Sequence, residues 1–220
     1  MAPAHIDKIY DQQLDRLTSS IGAMGDFAIA QFNDAIRALL THDTALAQRM
    51  VEQDRMLDAL RRDLSSSAAL VIAKRQPMAS DLEEVLADLR IVEDLERIGD
   101  LAKNIGRRTI AMSGDTLPPA LVGRIEAMVE LTTGQLRTAL EAFVERDPQR
   151  AMNVNTRDDQ VDETHHQIVA EMVAMMGESR SNVADFVHLL FCVKNIERIA
   201  DHAVNVAKAA HLKSTGQPIA

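Results

Sequence analysis

The chain has no tryptophan, one tyrosine and only 3% aromatic residues, so a core must be built from aliphatic side chains and methionine. Its single cysteine, Cys192, excludes an intramolecular disulfide, and its apolar helical surroundings give it the character of a buried thiol. Basic charge is scarce: 24 Lys and Arg against 33 Asp and Glu leave a formal net charge of −9. Neither half is the exception, with 14 basic against 18 acidic residues in 1–112 and 10 against 15 in 113–220. That balance argues against nucleic acid as a partner and against a polybasic membrane anchor. No run of about 18 apolar residues occurs, and Met1–Asp7 has neither a basic segment nor an apolar one of the kind that opens a secretory leader. A soluble, cytosolic protein with no direct membrane insertion is expected. Gly-rich phosphate loops, paired cysteines and nucleophile–base arrangements are also missing, so no catalytic apparatus is visible and the expectation is a protein that is not an enzyme.

What is present is helix-forming: Leu, Ala, Met, Glu, Gln and Arg dominate. Apolar residues at helical spacing predict a first helix from Asp7 to about Thr41, weakened in its middle by Gly22 and Gly25, where a kink is expected. Asp43 reads as the N-cap of a second helix from Thr44 to about Ala73. Ser80 and Glu83 form a capping box that opens a third, to about Met112. Ser113–Pro119 is the strongest break. Beyond it a helix is expected over Leu121–Val144, then one starting at Asp147-Pro148 and stopped by Gly177, and a last one capped by Asn182 and ending near Leu212. The second half repeats the first without gaps over two blocks: Met24–Asp58 aligns with Met128–Asp162, and Ser80–Asn104 with Ser181–Asn205. The expected fold is all-α, two tandem repeat-related three-helix bundles, 1–112 and 113–220.

The repeat carries a conspicuous element. Val92-Glu93-Asp94-Leu95-Glu96-Arg97-Ile98-Gly99-Asp100 returns as Val193-Lys194-Asn195-Ile196-Glu197-Arg198-Ile199-Ala200-Asp201. Each copy sets a Glu and an Asp four apart, on one helix face. With 33 acidic residues in 220, about five such pairs arise by chance, so position must carry the argument. Glu96/Asp100 align with Glu197/Asp201, and the preceding helices supply Asp54/Asp58 aligned with Asp158/Asp162. On a wheel of about 100° per residue these pairs continue an apolar stripe, and the third helix is apolar on its opposite side too, so it should lie centrally. Carboxylates aimed at a core need compensation. Asp54, Asp58, Glu96 and Asp100 in one unit, and Asp158, Asp162, Glu197 and Asp201 in the other, are therefore candidate metal ligands for a hard or intermediate cation such as Mg, Mn, Fe or Zn. Carboxylate–arginine networks are the competing explanation. Arg97 and Arg198 point about 100° away from the acidic face, and Arg61, on the face of its Asp pair, is matched in the second unit by His165. His165 could add a nitrogen ligand, and Asn104 and Asn205 could serve as carbonyl ligands or supporting donors. The Glu-x-x-His spacing of di-iron bundles occurs once, at Glu163 and His166, whereas such sites need it on two helices.

Two three-helix units bearing Asp-x-x-x-Asp on the second helix and Glu-Arg-Ile-x-Asp on the third, followed by Asn104 or Asn205, resemble the PhoU family of phosphate-signalling regulators. The likeness runs from about Asp7 to Leu212. It implies a cytoplasmic, non-enzymatic negative regulator of phosphate uptake and of the phosphate-starvation response. Its implied partners are the ATPase subunit of the phosphate transporter and a sensor histidine kinase, and a homodimer is compatible with it. The resemblance also implies metal clusters on Glu/Asp-x-x-x-Asp motifs, which map onto Glu96, Asp100, Glu197 and Asp201 with Asp54, Asp58, Asp158 and Asp162 facing them. Departures are Ala200 opposite Gly99 and His202 opposite Leu101, and the Arg61/His165 difference bears on whether both sites fill equally. A metal-dependent helical-bundle enzyme and a purely structural helical scaffold remain as alternatives.

Overall fold

The computed structural model describes residues 4–78, 80–113, 117–155, 158–178 and 183–219. Among them the regular elements are all helices: α1 (Ala4–Thr41), α2 (Thr44–Arg75), α3 (Ser80–Ala111), α4 (Pro119–Glu145), α5 (Pro148–Asn155), α6 (Asp158–Glu178) and α7 (Val183–Thr215). The all-α expectation holds. α5 and α6 together take the place of the one helix expected after Asp147-Pro148, and residues 156 and 157 between them lie outside the described residues. So do the Ser80 side chain and Asn182, on which two of the expected caps fall.

The repeat extends into the turn between its first two helices. Asp43 and Asp147 cap by accepting hydrogen bonds from the amides of Leu46 at 2.8 Å and Arg150 at 3.0 Å, satisfying donors that a helix start leaves orphaned. Just before each Asp stands a left-handed non-glycine residue, His42 at φ 50° and Arg146 at φ 53°. The same turn closes both times, with Asp43 N donating to Ala38 O at 3.0 Å and Asp147 N to Ala142 O at 2.9 Å. A left-handed residue with a Cβ costs on the order of 1 kcal/mol, which these bonds offset.

α1 runs unbroken through Gly22 and Gly25, and at Gly25 the missing side chain is a packing device, since a Cβ there would stand 2.5 Å from Leu140 Cδ2 of α4. α6 ends at Glu178, next to the stop expected at Gly177.

α1, α2 and α3 pack on one another, α4 to α7 do likewise, and α3 against α7 is the most extensive contact, with α1 against α4 beside it. α3 and α7 run antiparallel, as their pairs show: Asp88 with Lys213, Asp94 with His202, Arg108 with His188 and Ser113 with Asp185. The buried apolar residues of both repeats merge into one continuous core. α3 is buried on two sides, as its doubly apolar wheel requires: Val85 and Val92 as well as Ile91, Leu95, Ile98, Ala102 and Ile105 are at most 1% exposed.

On the α2-facing side the backbones come close at Gly99, where an added Cβ would lie 2.1 Å from Leu57 Cδ2 and 3.1 Å from Gln31 Oε1. The second repeat makes the reciprocal choice, Ala200 with Val161 at the position of Leu57, so volume moves from one helix to the other. Where α7 meets α1, α3 and α4, the ammonium of Lys213 is buried. It donates to Asp88 Oδ1 at 2.6 Å and Thr18 Oγ1 at 2.9 Å, lies 3.8 Å from Glu84 and sits 4.5 Å from the Phe143 ring centre. Asp88 is equally buried, and its Oδ2 has no hydrogen-bond partner. Burial pushes the Asp88 carboxyl up to about 6 despite the opposing Lys213 charge. The folded chain therefore holds that proton at higher pH than the unfolded chain. This group's contribution to stability is complete below the ordinary value of 3.8 and is lost as pH rises through about 6.

Two expectations follow for urea denaturation. Gly99→Ala should cost about 1–3 kcal/mol, and adding Leu57→Val, which copies the second repeat, should recover most of it; an unchanged cost in the double variant contradicts the proposed fit. Asp88→Leu should cost about 3–5 kcal/mol by stranding the Lys213 charge. Asp88→Leu alone should remove the Asp88-linked slope between about pH 4 and 6, and adding Lys213→Met should restore most of the lost stability. A double variant as unstable as the single one contradicts the pairing.

Candidate functional site

In the first unit the expected residues come from α2 and α3, which α1 backs with Gln31. Asp54 is buried, and both of its oxygens are engaged: Oδ1 accepts from Gln31 Nε2 at 3.4 Å, and Oδ2 lies 2.5 Å from Lys103 Nζ. The same ammonium donates to Asp100 Oδ1, so Lys103 bridges the two acidic pairs across the helix interface. Burial alone would lower the Lys103 pKa, but the hydrogen bonds it donates to Asp100 and Asp54, together with their charges, outweigh it and hold the ammonium above the usual lysine value. Arg97 stands 3.5 Å from Asp100 Oδ2 and 3.7 Å from Glu96 Oε2, while Arg61 is paired with Glu93 at 3.2 Å. At 3.7 Å the Arg97 contact is too long for a hydrogen bond, and Glu96 Oε2 stays buried without a hydrogen-bond partner among the described residues. Burial and then the Asp100 charge raise the Glu96 pKa; Arg97 and Arg61 oppose this, and Asp58 adds to it. The four carboxylates are thus neighbours, with an ammonium between two of them.

In the second unit α6 brings Asp162 and His165, and α7 brings Glu197 and Asp201. The side chain of Asp158 lies outside the described residues. Lys194 donates to Glu197 Oε1 at 2.6 Å from the outer side, and Glu197 Oε2 is buried with no hydrogen-bond partner among the described residues. The Asp201 pKa is raised, first by desolvation and next by Glu197, with Asp162 contributing in the same direction and Lys194 and His202 opposing. Desolvation lowers the His165 pKa, and Lys194 and His166 push it further down against the pull of Glu197 and Asp162. A neutral imidazole is favoured, the form that offers a lone pair to a metal. The position equivalent to Lys103 is Val204, which is buried and has no charge. The position equivalent to Gln31 is Gln135, 4% exposed, with neither amide atom hydrogen-bonded among the described residues.

Other expected residues point elsewhere. His202 Nδ1 lies 2.8 Å from Asp94 Oδ1 across the α3–α7 contact, and Asn205 Nδ2 reaches the same oxygen at 3.5 Å, so Asn205 supports that pair rather than its own acidic motif. Asn104 is exposed.

Among the described residues no group of three or more carboxylate, imidazole or thiol side chains stands close enough to hold a metal ion. The two units nevertheless differ in how they suit one. In the first, the space between Asp54 and Asp100 belongs to an ammonium, and a metal does not fit there while Lys103 stays. In the second, among the described residues, one oxygen of Glu197 is buried without a hydrogen-bond partner near Asp162, Asp201 and His165, and no ammonium stands between the acidic pairs.

Lys103 and Gln31 are the site residues that sequence reasoning passed over. Lys103 sits three residues beyond Asp100, on the same helix face. Gln31 is a polar interruption of the apolar stripe formed by Phe27, Ala28, Phe32 and Ala35, and its repeat partner Gln135 marks the same place.

Comparison with known proteins fits this duplicated arrangement. The profile of the PhoU domain matches twice, over residues 21–109 and 125–210. The chain is 41% identical over 216 residues to the phosphate-specific transport system accessory protein PhoU homolog of Rhizobium meliloti, covering 98% of this chain and 91% of the relative. It is also 41% identical over 216 residues to the protein of the same name from Caulobacter vibrioides, covering 98% and 94%. The crystal structure of PhoU from Pseudomonas aeruginosa superimposes with a TM-score of 0.89 at 30% identity, over 94% of this chain and 100% of that one. With the domain found in both repeats and relatives aligned along almost the whole length, the chain belongs to the PhoU family.

Proposed function

We propose that this protein is an accessory regulator of phosphate-specific transport, acting in the cytoplasm to hold down phosphate uptake and the phosphate-starvation response. In this reading it links the ATPase subunit of a phosphate transporter to a sensor histidine kinase. The observation that carries it is 41% identity, over 98% of the chain, to a relative named as the accessory protein of that transport system. Two features support it. No helix among the described residues is long and apolar enough to cross a membrane, and the charged groups of the first unit are bound to one another, which favours a structural and signalling use over turnover.

The second acidic cluster is the cation site of this proposal. A divalent or iron cation held by Asp162, Glu197 and Asp201, near His165, would neutralise the buried Glu197 oxygen and draw α6 onto α7. That would set the helix surface offered to the partners. A cation bound only to the folded state stabilises it by mass action.

Deleting the gene should leave phosphate-starvation genes switched on in phosphate-rich medium, as read by a reporter fused to one of their promoters, and restoring the wild-type gene should silence them. Normal repression in the deletion strain would contradict the regulatory role.

A further inference from the structure

Between α1 and α2 lies a groove of about 250 Å³ with Leu17, Leu64 and Val71 as its floor. Arg16 and Lys74 stand on its rim, and no Asp or Glu lines it, in a chain that has 33 of them. Both cations are exposed, and neither has an ion-pair partner among the described residues. Gln13 also lines the groove and is held by Arg75, whose Nε donates to Gln13 Oε1 at 3.1 Å, so the NH2 end of that amide is left to donate. Leu70 stands at the edge, 54% exposed. Ser20 of α1 and Ser67 of α2 complete the lining, and Ser67 Oγ donates to Asp63 O within its own helix at 2.8 Å. The second repeat treats the same place differently. In the register that aligns Met24–Asp58 with Met128–Asp162, Ser20 falls on Arg124 and Ser67 on Glu171. There an ion pair spans the helices, with Arg124 Nε 2.8 Å from Glu171 Oε2 and Arg124 donating to Gln167 at 3.1 Å. Glu178 occupies the position of Lys74. One repeat thus supplies its own carboxylate to this seam, and the other offers cations and donors without one.

We propose that the α1–α2 groove of the first repeat docks an acidic, amphipathic segment of a partner protein, its carboxylates meeting Arg16 and Lys74 and its apolar side chains covering Leu70 and the groove floor. Charge complementarity carries the choice of occupant. On a chain of net charge −9, unpaired cations around an acid-free groove select an anionic partner. The apolar floor and the exposed Leu70 favour a segment that brings apolar side chains over a free anion, which gains nothing from covering them. From Gln13 to Ser20 the groove follows α1 for about 10 Å of helical rise, the length of two turns of a helix laid along it, one of the recurring modes of peptide recognition. A Glu or Asp on such a segment supplies from outside what Glu171 supplies from within the second repeat. The regulatory reading above is used only for taking the occupant to be a protein, and the groove is tested without it.

The test uses a fluorescein-labelled peptide of about 16 residues, roughly four helical turns, with the repeat Glu-Leu-Ala-Glu, and a control peptide with Gln for every Glu. Affinity for the full-length chain is read by fluorescence anisotropy and location by amide shifts in NMR spectra, with circular dichroism as the check on folding. The acidic peptide should shift Ser20, Ser67, Leu70 and Lys74, leave Arg124 and Glu171 unmoved, and bind more weakly as NaCl is added. Arg16→Gln/Lys74→Gln should weaken it about tenfold, the scale of two exposed ion pairs, and the Gln peptide should bind the wild-type chain about as weakly. Ser20→Arg/Ser67→Glu, which copies the second repeat's ion pair into the groove, should abolish binding; if it does not fold, Arg16→Gln/Lys74→Gln decides the question. No binding of the acidic peptide by the wild-type chain, equal binding of the Gln peptide, or a folded variant of either kind with unchanged affinity would overturn the proposal. So would phosphatidylglycerol vesicles held through Arg16 and Lys74 by a chain that ignores the peptide, which would assign the groove to a membrane surface. Normal repression in the deletion strain would refute the regulatory reading alone and leave peptide binding in the groove standing.

Discussion

A carboxylate turned toward a helical core has to be neutralised, and the packing of the second on the third helix in each repeat follows from how that is done. In the first repeat the answer is one ammonium. Lys103 holds Asp54 of α2 and Asp100 of α3 together, and Gln31 of α1 closes the other side of Asp54. Three helices therefore meet around a polar chain whose members are nearly all satisfied. Such a network restrains helix register in a way that apolar contacts alone do not. Gln31 Oε1 and Glu96 Oε2 are exceptions, buried without a hydrogen-bond partner among the described residues, and Glu96 has a raised affinity for protons.

The same logic recurs at the junction of the repeats. Lys213 and Asp88 bring α7 and α3 together with Thr18 of α1, under the Phe143 ring of α4. Buried pairs of this kind contribute little net stability compared with apolar replacements, but removing one partner is costly. They bind the two repeats to a single arrangement within a shared core. The glycines act in the same direction: Gly25 admits Leu140 of α4 and Gly99 admits Leu57 of α2, so helix approach is set by absent side chains as much as by paired charges.

Much of this could be read from the residues alone. Asp43 and Asp147 announce their caps, the doubly apolar wheel of α3 announces its central place, and the repeat announces that one site has a twin. What escaped did so for physical reasons. Gly22 and Gly25 look like weak points along a chain because their value lies in α4, more than a hundred residues away. Asp88 meets the same criterion as Glu96, an acid on a core-directed stripe, but its partner Lys213 lies in another repeat and no local spacing points to it. Lys103 was within reach of the wheel argument. It was missed because counter-ions were sought among arginines next to the motif, while the effective cation stood one turn further along the same face.

The central claim is that the Lys103 ammonium, and not a metal ion, neutralises Asp54 and Asp100 in the first repeat. The most direct measurement is an anomalous difference map, at the manganese absorption edge, from a crystal of the wild-type protein grown with MnCl2. The account predicts a peak beside Glu197 and Asp201 and none between Asp54 and Asp100, where the Lys103 ammonium remains. A manganese peak between Asp54 and Asp100, with Lys103 turned away, would contradict it.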